Sequence, residues 1–171
     1  IIGKTKPVPQ LLGDLRDLLA EAWPGPLTVI LHAQLSLMWD LGETRGTVAL
    51  RMPDHDLALR LLTRTGPLAV TSANVTGQPA ATSVLEAATQ LGSAVEVYLD
   101  GGPTAGNRPS TIVDCTGETP VVLRHGAITL ARLREVVPNV DGGTEPAAPA
   151  TGESPEAAAA AGGAGAADSD D

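Results

Sequence analysis

Aromatic residues are almost absent from this chain of 171 residues: Trp23, Trp39 and Tyr98 are all it has, with no Phe. A platform for single-stranded nucleic acid needs ring faces on which bases stack, and three rings do not make one. The core must come from Leu, Val, Ile and Ala. Cys115 stands alone, which excludes an internal disulfide and a thiolate metal cluster and fits a reducing, cytoplasmic location. His32, His55 and His125 are too dispersed for a metal-binding motif. No run approaches the roughly 18 apolar residues of a transmembrane helix, so no membrane partner is expected. The start, Ile1-Ile2-Gly3-Lys4, has neither a signal-peptide pattern nor a Met. Further residues are expected upstream of Ile1.

Positive charge is missing from the C-terminal stretch. Residues 139–171 carry seven acids and no base, whereas residues 1–138 carry eleven Lys/Arg against thirteen Asp/Glu. The net charge of −9 is therefore mostly a property of the tail. From Gly142 onward there is no Leu, Ile, Val or aromatic residue, too little apolar surface to offset the entropy of ordering. The expected organisation is one folded domain over residues 1–138 and a disordered Ala/Gly/acidic tail over residues 139–171.

The first 138 residues alternate between two hydrophobic periods. Leu11, Leu12, Leu15, Leu18, Leu19 and Trp23 recur at helical spacing, and Pro24-Gly25-Pro26 stops that helix. Strands are expected at 27–31, 47–52, 68–71, 95–99, 110–114 and 121–124. Asp54, Ser83 and Thr129 are expected to cap helices running to about Gly66, Leu91 and Val137. Short connections between mixed elements indicate an α/β domain, long enough to bury about two-thirds of its unfolded surface.

Polar loops at strand ends are where such folds place ligands. Four stand out: Thr47–Pro53, Val70–Asn74, Asn107–Thr111 and Leu123–Ala127. Their hydroxyl, amide and guanidinium groups suit phosphate or carboxylate oxygens, which Arg matches bidentately. Any single loop of this kind could merely satisfy its own backbone; four together point to a site. Other chemistries fit worse. Gly101–Gly106 imitates the start of a phosphate loop, but Asn107-Arg108 replaces the Lys-Ser/Thr pair. Ser72, His125 and Asp114 could be imagined as a triad, yet Ser72 lacks the Gly-x-Ser-x-Gly elbow.

Five blocks occur in order: Trp23–Thr28, Thr47–Pro53, Thr71–Gly77, Ser110–Asp114 and Leu123–Ala127. Together they resemble the YrdC-like family, the threonylcarbamoyl-AMP synthases of tRNA modification, over residues 20–137. The resemblance implies a YrdC-like twisted mixed sheet flanked by helices. It also implies synthesis of threonylcarbamoyl-adenylate and pyrophosphate from L-threonine, bicarbonate and ATP, with Mg2+ bridging phosphate oxygens. The product would pass to an enzyme that transfers threonylcarbamoyl to adenosine 37 of tRNA. Carried over residue by residue, it puts Thr47, Ser72, Asn74 and Arg124 at ATP, and Arg51 and Ser110 at threonine. No protein nucleophile is implied.

The sequence also departs from the family pattern. An N-terminal Pro-Thr block is missing, Lys4-Thr5-Lys6-Pro7 only imitates the family's Lys-x-Arg motif, with Lys6 in place of Arg, and Ala80 sits where several relatives have a serine. The chain as it stands is accordingly expected to release little pyrophosphate. Two other readings remain open: a catalytically incompetent module that binds nucleotide or double-stranded RNA, and a carbamoyl-transfer domain like that of hydrogenase-maturation proteins.

Overall fold

The computed structural model describes residues 9–34, 39, 43–104 and 108–144; the tail beyond residue 144 lies outside them. The described chain divides into two units, residues 9–69 with 108–144, and residues 70–104.

The larger unit is built on a mixed sheet of β1 (Leu27–His32), β2 (Thr47–Arg51), β3 (Thr111–Asp114) and β4 (Val121–Arg124), in the order β2-β1-β3-β4. β1 pairs antiparallel with β2 and parallel with β3, and β3 pairs antiparallel with β4. Side chains alternate across a strand, and here the alternation separates two faces. Leu27, Val29 and Leu31 of β1 are buried beside Val113 and Val122. Onto this face pack Leu15 and Leu18 of α1 (Pro9–Ala22) and Leu133 of α4 (Leu130–Val136), with Val137 and Val140 behind them. Two helices and one sheet face thus enclose an aliphatic core, as the shortage of rings requires.

Packing continues past Pro138. Val140 is 3% exposed, and Asp141 exchanges main-chain hydrogen bonds with Val122 and Pro120 beside the outer edge of β4. Among the described residues no helix is long and apolar enough to cross a membrane.

Helix starts follow the side chains able to cap them. Thr129 accepts a bond from Arg132 N, and Ser83 one from Glu86 N at the start of α3 (Val84–Leu91). The start of α2 (Asp56–Thr65) differs from expectation: His55, not Asp54, is the N-cap, its Nδ1 accepting from Ala58 N. Because α2 begins one residue later than expected, the orphan N–H to be capped is that of Ala58, three residues beyond His55.

Two expected strands do not form. Residues 68–71 and 95–99 have strand-forming composition but no ladder. Val70 is 86% exposed, Val97 69% and Leu99 55%. Propensity measures fit to a pleated, half-buried surface, and without a paired neighbour these stretches have no such surface. Thr82, Ser83 and Glu86 organise the smaller unit instead: Glu86 accepts from both Thr82 N and Thr82 Oγ1 at the head of α3.

Candidate functional site

The polar side chains lie on the sheet face opposite the aliphatic core. Register places Thr28 opposite Arg51 and beside Ile112, and Ile112 opposite Arg124. One row therefore runs Arg51, Thr28, Ile112, Arg124 across all four strands, with Ser110 just before β3 at the same end. Arg51 and Arg124 close β2 and β4, whereas Thr28 and Ser110 open β1 and β3, so all four reach one end. Three strand spacings separate the two arginine backbones by about 14 Å.

Each side chain is held by a specific contact. Ser110, 5% exposed, is the hub. Its Oγ lies 2.8 Å from Thr28 Oγ1 and accepts a 2.9 Å bond from Arg124 Nη2, while its carbonyl accepts a 3.0 Å bond from Arg124 Nε. Arg51 donates through Nε to Gly25 O at 3.1 Å, which sets the plane of its guanidinium. Gly25 sits in the Trp23-Pro24-Gly25-Pro26 turn, whose Trp23–Pro24 bond is cis, and Gly25 N donates to Met52 O. A Cβ on Gly25 would come within 2.4 Å of Ala22 O. Only glycine fits.

The Ser110 segment is clamped from its other side. Ala127 N donates to Pro109 O, and Thr111 N to Pro26 O. Thr111, fully buried, donates its hydroxyl to Ile128 O and accepts from Ile128 N, so the buried hydroxyl is satisfied in both senses. Gly126 passes so close that a Cβ there would lie 2.5 Å from Pro109 O, Ser110 C and Thr111 N. From sequence, Gly25 is expected only to help stop the first helix, and Thr28 and Gly126 carry no expected role at a site. The only local signal for Thr28 was a hydroxyl inside the apolar run Leu27–Leu31.

Of the six expected site residues, the structure brings Arg51, Ser110 and Arg124 together. Thr47 lies at the opposite end of β2, paired in register with His32, and its Oγ1 donates to Thr44 O at 2.7 Å. Ser72 and Asn74 belong to the smaller unit. Ser72 is exposed, and its carbonyl accepts from Asn74 N. Asn74 Nδ2 donates to Val75 O at 3.1 Å, whereas its Oδ1 is buried without a partner. The loop is steadied by Gln90 of α3, which accepts from Val75 N and donates to Pro79 O. Asn74 was expected to offer its amide to a phosphate; one of its two N–H donors is engaged inside the loop, and the other N–H and the Oδ1 acceptor remain. Lys4 and Lys6 lie outside the described residues.

The imagined triad has other engagements. His125 Nε2 is 2.9 Å from Gly142 O, and Asp114 accepts from Thr116 N and Oγ1. Burial, with the Asp114 charge beside it, pushes the Cys115 thiol up to about 12, which makes it a poor nucleophile. Among the described residues no three His, Cys, Asp or Glu side chains gather as metal ligands.

Comparison with known proteins agrees with this architecture. The family model for Sua5, YciO and YrdC proteins, described as telomere recombination, matches residues 6–126. A Mycobacterium leprae relative is 52% identical over 122 residues, 71% of this chain and 56% of its own length. The threonylcarbamoyl-AMP synthase of Bacillus subtilis is 38% identical over 136 residues, 78% of this chain and 38% of that enzyme. The chain thus spans about half, or less, of these relatives' length. Among solved structures, Pyrococcus abyssi Sua5 complexed with L-threonine superposes with a TM-score of 0.72 at 32% identity, over 82% of this chain and 40% of that one. Escherichia coli YciO gives 0.55 at 28% identity, over 70% and 58%. With most of its length matched by the family model and its fold shared with two of its members, this chain belongs to the Sua5/YciO/YrdC family.

Proposed function

We propose that this chain is part of a threonylcarbamoyl-AMP synthase, forming threonylcarbamoyl-adenylate and pyrophosphate from L-threonine, bicarbonate and ATP. The observation that carries the reading is the row at the sheet end, where two guanidinium groups flank a pair of hydrogen-bonded hydroxyls. The Pyrococcus abyssi protein of the same fold is complexed with L-threonine, and that ligand matches the chemistry of the row. A carboxylate needs a fork of donors, which Arg51 supplies. Ser110 adds a hydroxyl for the amino acid's polar atoms.

ATP is assigned to Arg124, Thr47, Ser72 and Asn74. Arg124 offsets phosphate charge, and the exposed Ser72 hydroxyl donates to a phosphate oxygen. Asn74 offers its remaining amide N–H to a phosphate oxygen. The threonine amine forms a C–N bond to bicarbonate carbon with loss of water, and the resulting carbamate oxygen attacks the α-phosphorus of ATP. The bond to the β-phosphate oxygen breaks and pyrophosphate leaves. The protein's part is orientation and charge stabilisation. Mg2+ fits this chain only as the counter-ion that ATP brings, because the described residues offer no carboxylate cluster to hold it; no step here is routed through it. The adenylate is then consumed by an enzyme that modifies adenosine 37 of tRNA.

Calorimetry of the chain with L-threonine tests the reading, followed by an assay for pyrophosphate release that depends on both threonine and bicarbonate. Binding of L-threonine in preference to L-valine is expected. Nucleotide binding with no response to threonine would replace the synthase by the non-catalytic module.

A further inference from the structure

We propose that Thr28 is a positioning residue: it orients the Ser110 hydroxyl, and through it the Arg124 guanidinium. The inference rests on the reading of Ser110 and Arg124 as ligand-binding groups but is carried by a different observation, the hydrogen-bond chain from Thr28 through Ser110 to Arg124. Thr28 is the rigid member. Its backbone is locked between two ladders, antiparallel to Arg51 and parallel to Ile112, and a β-branched side chain has restricted χ1. Ser110, though its segment is clamped, has no such restraint on its side chain. It lies one residue outside β3, and its unbranched side chain has three staggered rotamers. Arg124 is a long chain whose head is fixed by what accepts from it.

Proton counting gives the chain a direction. A guanidinium only donates, so Ser110 Oγ accepts from Arg124. The Thr28 and Ser110 hydroxyls hold two protons between them and use one in their mutual bond. The other is left for an acceptor, which is what a carboxylate or phosphate oxygen provides. Thr28 thereby does two things: it selects the rotamer in which Ser110 meets Arg124, and it leaves one hydroxyl proton for a bound anion.

The test compares Thr28→Val, which keeps the shape and removes the hydroxyl, with Thr28→Ser, which restores it. Valine suits a strand, and the thermal midpoint checks that both variants fold. The first readout is hydrogen exchange at the Arg124 Nη2 protons, the group that donates to Ser110 Oγ, followed by NMR at low temperature without ligand. Loss of one hydrogen bond predicts exchange about three- to tenfold faster in Thr28→Val, with Thr28→Ser close to wild type. Unchanged exchange in Thr28→Val would overturn the proposal, as would equal acceleration in both variants. The second readout is L-threonine affinity, expected to fall about three- to tenfold in Thr28→Val and to recover in Thr28→Ser. Faster exchange in a protein that binds no L-threonine would support the positioning role and remove the synthase reading instead.

Discussion

Replacing Gly126 by Ala adds one methyl group where the structure has no room. The new Cβ would lie 2.5 Å from Pro109 O, Ser110 C and Thr111 N, whereas non-bonded carbon contacts settle at about 3.5–4.0 Å. All three atoms are backbone, so no side chain can swing aside. One of the two segments must move by about 1 Å. The Ser110 segment is tied by Thr111 N to Pro26 O at 2.9 Å, by Ala127 N to Pro109 O at 3.0 Å, and by the Thr111–Ile128 pair. Moving it forfeits one or two hydrogen bonds at about 1 kcal/mol each, on top of about 1–3 kcal/mol for overpacking. The expected loss is about 3 kcal/mol, a fall in Tm on the order of 10 °C for a domain of this size. Thermal unfolding followed by far-UV circular dichroism measures it. Gly13 is the internal control, since a Cβ there meets nothing within 4 Å in α1. Gly13→Ala should stabilise by about 0.5–1 kcal/mol through helix propensity. A Gly126→Ala protein that melts within about 2 °C of wild type would refute the argument that this glycine clamps the Ser110 segment.

Three further outcomes are expected. Arg51→Lys keeps the charge but loses the planar fork, so calorimetry should show L-threonine affinity falling more than ATP affinity; equal losses would make Arg51 structural or a nucleotide ligand. Cys115, 5% exposed with its thiol pushed up to about 12, should resist iodoacetamide in the folded protein and react in denaturant, as mass spectrometry would report. The Glu86 carboxyl is held below its ordinary value of 4.5, chiefly by the Thr82 N–H. A depressed folded-state value means that its contribution is fully present above pH 4.5 and is lost as pH falls through the folded value. Glu86→Gln should therefore flatten the acid limb of the stability profile below pH 4.5, and an unchanged limb would contradict the assignment.

Much of the fold was legible because it is local. Ser83 and Thr129 cap their helices as their hydroxyls allow, and Pro24-Gly25-Pro26 ends α1. The apolar run Leu27–Leu31 marked β1, and Leu27, Val29 and Leu31 are its buried positions. Residues 68–71 and 95–99 carry similar composition but lack a ladder, since strand formation depends on a neighbour that sequence spacing does not name. His55 displaced Asp54 as the cap of α2 for a comparable reason: which side chain reaches the orphan N–H is settled by backbone geometry at the turn.

The candidate site divides along the same line. Sequence alone determined the residue types available at the strand ends, because Arg, Ser and Asn chemistry does not depend on where they sit. It determined, too, that an aliphatic core would be needed, and it carried the family pattern. Only the tertiary structure decided that Arg51, Ser110 and Arg124 share one end of the sheet while Thr47 occupies the other, because strand register sets that and register is a property of pairing. The same pairing brought Thr28 to Ser110 across 82 residues of sequence, and the same folded geometry engaged one Asn74 amide proton with Val75 while leaving its oxygen unmatched. A side chain's chemistry is written in its identity, but whether its donors are free for a ligand is decided by the neighbours that folding supplies.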